Sequence, residues 1–174
     1  MKILIIYGST EGQTRKIALY LKDEAEKEGH EVKVADATVD PPGPAGFDLV
    51  LIGASVHMHK YQSAVIHYVK THLHILNKIR SGFFSVSMSS ATADAESLKE
   101  LDAVTADFQK ETSWVPSHIE QVAGALRYTQ YDFFKKLIMR LIAKKHKGDT
   151  DTSSDHEYTD WYKLKVFLDT MLKS

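Results

Sequence analysis

Glycine and hydroxyl residues fill the segment GSTEGQT that follows the first apolar run of the chain. Gly8 and Gly12 allow a tight turn, and the hydroxyls of Ser9, Thr10 and Thr14 lie beside the free amides expected at a helix start. Such a turn suits a phosphate group, because backbone N–H groups and the helix dipole both attract an anion. The spacing matches neither a P-loop nor a GxGxxG motif. A glycine turn that only caps a helix fits the same residues and remains the alternative.

Two other segments have a similar character, GASVHMHKY at 53–61 and SMSSATAD at 87–94. Each follows an apolar run of the kind expected for a strand buried on both faces of a parallel sheet. In a doubly wound sheet of strand order 2-1-3-4-5, the loops after strands one, three and four meet where the strand order reverses. The three segments therefore predict one ligand site at the carboxyl ends of the strands.

The elements that must position these loops alternate along the chain, which predicts an α/β fold. Strands are predicted at 3–6, 32–35, 49–52, 83–86 and 119–126. Helical spacing predicts four buried stripes, namely Ile17, Ala18, Leu21 and Ala25; Val65, Tyr68, Val69, Leu73 and Leu76; Leu98, Leu101, Thr105 and Phe108; and Trp161, Leu164, Leu168, Met171 and Leu172. Gly29 is expected to end the first helix. We expect one domain over 1–174, a doubly wound five-stranded parallel sheet with helices on both faces.

One segment exceeds an ordinary connection, because more than thirty residues at 127–159 separate the fifth strand from the last helix. Its first part, 127–147, predicts a basic amphipathic helix with seven cations and one anion, a net charge of +6 that leaves −7 for the remainder. Such a helix suits an anionic bilayer. The same cations could instead bind carboxylates of a substrate or a protein partner, or the apolar stripe could simply pack on the domain.

Composition limits the function classes. The chain has 174 residues, 22 Lys and Arg against 23 Asp and Glu, and no cysteine, so redox chemistry would need a bound cofactor. No apolar run is long enough to span a bilayer and no signal-peptide pattern is present, so we expect a cytoplasmic protein that could lie on the cytoplasmic face of a membrane. A net charge of −1 argues against a nucleic-acid partner. The spacing of the nine histidines predicts no metal site.

The three loops together resemble a flavodoxin FMN site. The resemblance implies a flavodoxin-like fold with strand order 2-1-3-4-5 and with FMN as cofactor, and it assigns cofactor-binding positions in each loop. They are Ser9, Thr10, Glu11, Gly12, Gln13 and Thr14 in the first; Ala54, Ser55, Val56 and His57 in the second; and Ser87, Met88, Ser89, Ser90, Ala91, Thr92 and Asp94 in the third. We expect the Glu11 side chain to face solvent, because an inward carboxylate would repel a phosphate.

The sequence departs from electron-carrier flavodoxins, which stack aromatic residues on the flavin. The third loop has no aromatic residue, and the planar candidates of the second are His57, His59 and Tyr61. A flavin bordered by small residues would be open to a flat substrate, which favours an enzyme. His57 and His59 could form hydrogen bonds or transfer protons at the flavin edge, and they also fit ordinary loop histidines.

Motifs in the last third resemble the menaquinone-dependent protoporphyrinogen IX dehydrogenases. They are AGALRY at 123–128, GDTDT at 148–152 and YTDW at 158–161, together with QTR at 13–15 and IGAS at 52–55. The resemblance implies oxidation of protoporphyrinogen IX to protoporphyrin IX in heme biosynthesis, with a membrane quinone as acceptor, and it assigns no catalytic acid or base. The alternatives are an electron-transfer module that docks a redox partner and an FMN-binding protein without turnover. The oligomeric state is not predicted.

Overall fold

Five parallel strands form the central sheet of the computed structural model, which describes residues 1–92, 95–126 and 156–173. The strands are β1 (Lys2–Gly8), β2 (Glu31–Asp36), β3 (Leu49–Ser55), β4 (Arg80–Ser87) and β5 (His118–Ala123). Their order in the sheet is β2-β1-β3-β4-β5. The predicted order 2-1-3-4-5 is therefore confirmed, and so are the first four predicted strands, each extended by one to three residues at one or both ends.

Helices cover both faces of this sheet. They are α1 (Gln13–Lys27), α2 (Ser63–Leu76), α3 (Ser89–Thr92), α4 (Ala95–Thr112) and α5 (Trp161–Lys173). The helices α1 and α5 pack on one face in a core that includes Ile5, Leu51 and Phe84. The helices α2 and α4 pack on the other face, where Ile6 and Ile52 join the core. Successive strand residues alternate between the two cores, which is why β1 and β3 read as continuous apolar runs.

Three of the four predicted stripes need correction; in α2, Leu73 is half-buried, whereas Val65, Tyr68, Val69 and Leu76 are buried. The stripe of α1 is confirmed, since Ile17, Ala18, Leu21 and Ala25 are all fully buried. The stripe of α4 is wrong at Leu98, which is 41% exposed. The helix begins outside the core, and its burial starts only at Leu101 and continues at Val104. In α5, Phe167 joins the buried stripe, whereas Trp161 and Leu172 are half-buried.

The fifth strand is shorter than the predicted 119–126. It ends at Ala123: the Gly124 N–H makes the last bond to β4, at the Ser87 carbonyl, and the Gly124 carbonyl then accepts from the Tyr158 N–H outside the sheet. The next residues form β6 (Ala125–Leu126), which pairs antiparallel with β7 (His156–Glu157). The chain thus re-enters the described part of the fold beside the point where it leaves it, and the predicted basic helix of 127–147 lies outside the described residues.

Candidate cofactor site at the carboxyl edge of the sheet

The three loops singled out from the sequence begin at neighbouring positions of the sheet. Gly8 at the end of β1 is in register with Ala54 of β3, and Ser55 is in register with Val86 of β4. The parallel strands therefore release all three loops at one edge. This edge is where the strand order reverses between β1 and β3, which is the position at which doubly wound sheets bind ligands.

The first loop is held open at the start of α1. Gly12 is the residue that precedes the helix, and its φ of +90° is a left-handed conformation that favours glycine. Ser9 Oγ accepts a hydrogen bond of 2.9 Å from the Gly12 N–H. Within the described residues, no side chain caps α1 and no acidic residue lies in its first turn. The first amides of the helix are therefore available to an anion.

Thr14 gives the sharpest test of whether a phosphate fits this loop. Its side chain is 0% exposed, and Oγ1 has no hydrogen-bond partner among the described residues. A buried hydroxyl without a partner costs about 1 to 3 kcal/mol, so such groups usually serve a ligand or an ordered water. The hydroxyl lies in the first turn of α1, beside the free amides. The donor set of this turn therefore fits a phosphate group.

The two other long side chains of this loop differ in their surroundings. Glu11 is half-buried and makes no hydrogen bond or ion pair with the part of the chain that the structure describes. Gln13 Nε2 donates to Glu157 Oε1 at 3.0 Å and to Thr159 Oγ1 at 2.8 Å. The Gln13 side chain is thus bound away from the loop, which leaves its backbone amide as the group that could meet a phosphate.

The contacts of Gln13 belong to a clamp between α1 and the segment 157–161. Glu157 Oε2 lies 2.5 Å from Lys16 Nζ, and Lys16 lies over the Trp161 ring at 5.3 Å from its centroid. Thr159 Oγ1 in turn donates to the Ala123 carbonyl at 2.8 Å. Burial opposes ionisation of Glu157, but the hydrogen bonds from Lys16 and Gln13 outweigh it and lower the pKa of this carboxyl. The clamp fixes the helix that carries the first loop.

We expect Glu157→Gln to destabilise the protein by about 0.5 to 1 kcal/mol near pH 7, because the pair with Lys16 is partly exposed. A carboxyl whose pKa is lowered by folding stabilises the fold above its unfolded pKa and loses that contribution as the pH falls through the folded pKa. The difference in unfolding free energy between the two proteins should therefore shrink as the pH falls below the unfolded pKa of a glutamate and through the lowered folded pKa, as measured by urea unfolding across acid pH. Glu26→Gln, which breaks an (i,i+4) pair with Lys22 in the same helix, is the control. Equal losses in both variants, or a loss that does not shrink as the pH is lowered, would contradict this role.

Only some of the second-loop residues predicted to bind the cofactor have side chains that could reach a ligand. Ala54 is fully buried in the core beneath α2, because it alternates with Ser55 along β3. The Val56 N–H donates to the Val86 carbonyl at 2.8 Å, so strand pairing already uses this amide. Ser55 and Val56 are half-buried, whereas His57 is exposed. The side chains of Ser55, Val56 and His57 therefore remain candidates, and that of Ala54 does not.

A tight turn follows at His57–Lys60. The backbone groups of His57 and Lys60 bond to each other, and the two central residues, Met58 and His59, have φ values of +49° and +60°. Both values lie in the left-handed region, a backbone conformation that residues other than glycine seldom adopt. The Met58 side chain is 82% exposed. The turn projects from the edge of the site.

The candidate role of Tyr61 as a planar residue beside the flavin is wrong. Its side chain is 5% exposed, with its ring centroid 5.1 Å from that of Phe83 and 5.0 Å from that of Phe108. Its hydroxyl donates to Ser85 Oγ at 2.8 Å and lies 3.1 Å from Thr105 Oγ1. Burial raises the pKa of this hydroxyl, while its hydrogen bonds act in the opposite direction. Tyr61 therefore anchors the second loop into the core.

The third loop is compact. Ser87 Oγ accepts from the Ser90 N–H at 3.1 Å and shares a hydrogen bond of 2.9 Å with Ser90 Oγ. These bonds fold Ser89–Thr92 into one helical turn where the sequence predicted a loop. Met88, Ser89, Ser90 and Ala91 are half-buried. Asp94, the last predicted contact, lies outside the described residues.

Gln62 is the contact at this edge that sequence reasoning missed. Its Nε2 atom donates to Thr10 Oγ1 in the first loop at 3.1 Å and also to Ser55 Oγ at the end of β3. The residue therefore joins two of the three loops. Its position just before α2 carries no motif that could have revealed a bridge to Thr10, which is 52 residues away in sequence.

The described ranges contain neither a metal-binding cluster nor a membrane-spanning helix. In residues 1–92, 95–126 and 156–173, no group of three or more His, Cys, Asp and Glu side chains is placed to hold a metal ion. Within those same ranges, each helix is too short or too polar to cross a membrane.

The strand order and the three converging loops define a flavodoxin-type α/β protein. A family model described as a flavodoxin domain matches residues 4–153. Flavodoxin 1 from Bacillus cereus has the same fold at 15% identity, with a TM-score of 0.52 over 85% of this chain and 100% of that chain.

Closer relatives narrow the class. The Escherichia coli K12 protein named protoporphyrinogen IX dehydrogenase (quinone) is 34% identical over 168 residues, 96% of this chain and 92% of the relative. The Leishmania major protein of the same name is 32% identical over 95% of this chain and 72% of the relative. The chain therefore belongs to the protoporphyrinogen IX dehydrogenase (quinone) family of flavodoxin-domain proteins, and its cofactor is FMN.

Proposed function

We propose that this protein is an FMN-dependent oxidoreductase that converts protoporphyrinogen IX to protoporphyrin IX and passes the hydrogens to a quinone. The observation that carries the cofactor assignment is the buried Thr14 hydroxyl, which has no partner among the described residues and lies beside the uncapped amides of α1. The substrate and the acceptor follow from the names of relatives at 34% and 32% identity.

In this proposal the first loop holds the phosphate of FMN. The amides that follow Gly12 and the Thr14 hydroxyl are the donors, and Ser9 and Thr10 supply further hydroxyls. The residues Ser55, Val56 and His57 of the second loop and 87–92 of the third border the flavin ring. Asp94 stays a candidate by resemblance alone.

When bound, FMN would supply the hydrogen-accepting chemistry of the reaction, while the protein positions the reactants. The described part of the third loop, 87–92, contains only small or unbranched side chains, and Tyr61 is withdrawn into the core. These residues leave room for a flat tetrapyrrole beside the flavin. No side chain is assigned as an acid or base.

The alternative function, an electron-transfer module that docks a redox partner, is not favoured. The relatives that match nearly the whole chain are named dehydrogenases. The absence of a stacking aromatic residue in 87–92 also favours an open site over a shielded one.

The segment 127–159 is, in this proposal, an insertion within the single domain, and its part 127–147 contacts the membrane that holds the quinone. The charge of +6 on 127–147 supports this placement, because each basic side chain near an anionic surface contributes about 1 kcal/mol. The same cations are also suited to the carboxylates of a porphyrinogen.

A turnover assay tests the function. The flavin-free protein, the FMN-loaded protein and FMN alone are mixed without oxygen with protoporphyrinogen IX and menaquinone, and porphyrin fluorescence is followed. We expect turnover only with the FMN-loaded protein, and a higher rate when menaquinone is supplied in phosphatidylglycerol vesicles than in phosphatidylcholine vesicles. Absence of turnover despite bound FMN would contradict the proposed reaction. Equal rates in the two vesicle types would contradict the membrane contact.

A further inference from the structure

We propose that Gln62 is a positioning residue that holds the first loop ready for the phosphate of the cofactor and so favours FMN over flavins without a phosphate. This inference rests on the proposed function, in which the first loop binds the phosphate. It concerns a residue outside the three loops, placed immediately before α2. The two hydroxyls that Gln62 joins, those of Thr10 and Ser55, lie in different environments.

One end of the bridge is rigid. Ser55 is the last residue of β3, and it is in register with Val86 of β4. The following amide, that of Val56, donates to the Val86 carbonyl at 2.8 Å. Strand pairing therefore fixes Ser55 whether or not Gln62 is present.

The other end of the bridge, at Thr10, has few other contacts that fix its position. Thr10 is exposed, and within the described residues its side chain bonds only to Gln62, through the 3.1 Å contact between Gln62 Nε2 and Thr10 Oγ1. Gln62 Nε2 also donates to Ser55 Oγ. The amide thus transfers the rigidity of the sheet edge to the middle of the loop that precedes α1.

The packing around Gln62 keeps its side chain in this direction. A Cβ atom on Gly8 would lie 3.1 Å from Gln62 Oε1 and 2.5 Å from Val65 Cγ2, so the side chain lies close along the end of β1. Oε1 is buried and has no hydrogen-bond partner among the described residues. Burial of a polar atom without a partner is unfavourable, so the cost of burying Oε1 offsets part of the stability that the two hydrogen bonds of Nε2 contribute.

A loop that is already ordered binds its ligand more tightly, because the ligand need not pay the entropy of ordering it. An ordered first loop would strengthen the binding of FMN, whose phosphate it holds. It would not strengthen the binding of riboflavin, which has no phosphate. Loss of the bridge should therefore weaken the binding of FMN and leave the binding of riboflavin unchanged. If Gln62 had a purely structural role, its loss would weaken the binding of both flavins equally.

The test measures dissociation constants of FMN and riboflavin by flavin fluorescence for the full-length chain. For Gln62→Met, which keeps the length of the side chain and removes both hydrogen bonds, we expect the FMN constant to rise about 10-fold and the riboflavin constant to change less than about 2-fold. In a Thr10→Val background the same substitution should raise the FMN dissociation constant by less than about a further 2-fold. Gln109→Met, at a half-buried glutamine in the last turns of α4, is the matched control and should change neither constant.

An unchanged FMN constant, an equal loss for both flavins, or full additivity with Thr10→Val would overturn the proposal. Gln62→Ala is the second variant, in case the methionine variant does not fold. Unfolding of both variants would also overturn it, because Gln62 would then serve the stability of the sheet edge. Failure of the unmodified protein to bind FMN would instead refute the proposed function.

Discussion

Thr14→Val is expected to stabilise the flavin-free protein by about 1 kcal/mol and to weaken FMN binding about 10- to 100-fold. The two effects have one cause. Thr14 is fully buried, and its Oγ1 atom has no partner in the described part of the chain, so a methyl group of the same shape removes the cost of an unsatisfied hydroxyl. The same change removes a hydrogen bond to a charged phosphate, which contributes about 1.5 to 3 kcal/mol. Urea unfolding without flavin and fluorescence titration with FMN measure the two quantities.

Thr112→Val is the matched control for this prediction. Thr112 is also buried, but its Oγ1 donates to the Phe108 carbonyl at 2.8 Å and accepts from the Trp114 N–H at 3.4 Å. Its replacement should destabilise the protein by about 1 kcal/mol and leave the FMN constant unchanged. If Thr14→Val behaved like Thr112→Val, the Thr14 hydroxyl would have no role in phosphate binding.

Gly53→Ala is expected to destabilise the protein by about 3 kcal/mol or more. A Cβ atom at this position would lie 2.0 Å from both Cε2 and Cζ of Phe84, far inside any permitted contact. Phe84 cannot withdraw easily, because it is fully buried in the core between the sheet and α5 and contacts Phe167 at 6.5 Å between ring centroids. Overpacking of this kind in a dense core costs about 1 to 3 kcal/mol and occasionally more. The shift should appear as a lower urea midpoint.

Gly124→Ala provides the comparison. A Cβ atom there would have its nearest neighbour, Val86 Cγ1, at 3.5 Å, which is an ordinary contact. We expect a change within about 0.5 kcal/mol for this variant. Equal stability of the two alanine variants would mean that the Phe84 ring does not lie against Gly53 of β3. The glycine of the IGAS motif therefore serves packing of the sheet that ends in the second loop.

The sheet could be predicted because its determinants are local. The runs at Ile3–Ile6 and Leu49–Ile52 are buried on both faces, so their apolar content alone marks central strands. The stripe of α1 follows from helical periodicity in the same way. The end of β5 could not be predicted, because the Gly124 carbonyl turns away from the sheet to accept from Tyr158, which is distant in sequence.

The candidate site was predictable in its loops and less so in its side chains. Thr14 was expected at the phosphate position, and the structure adds that its hydroxyl is buried without a partner in the described residues. Tyr61 was wrongly considered beside the flavin, and a cofactor contact of Ala54 cannot come from its side chain, because a loop motif does not reveal which face a side chain takes. Gln62 and Glu157 were missed for a related reason, since their partners lie 52 and 141 residues away.

The most direct test of the central claim is the reduction of the bound flavin itself. The FMN-loaded protein is mixed without oxygen with protoporphyrinogen IX, and the visible absorbance of the flavin is followed before menaquinone is added. We expect the flavin absorbance to fall as protoporphyrin fluorescence rises, and to return when menaquinone is added. A flavin that stays oxidised in the presence of excess protoporphyrinogen IX would contradict the central claim.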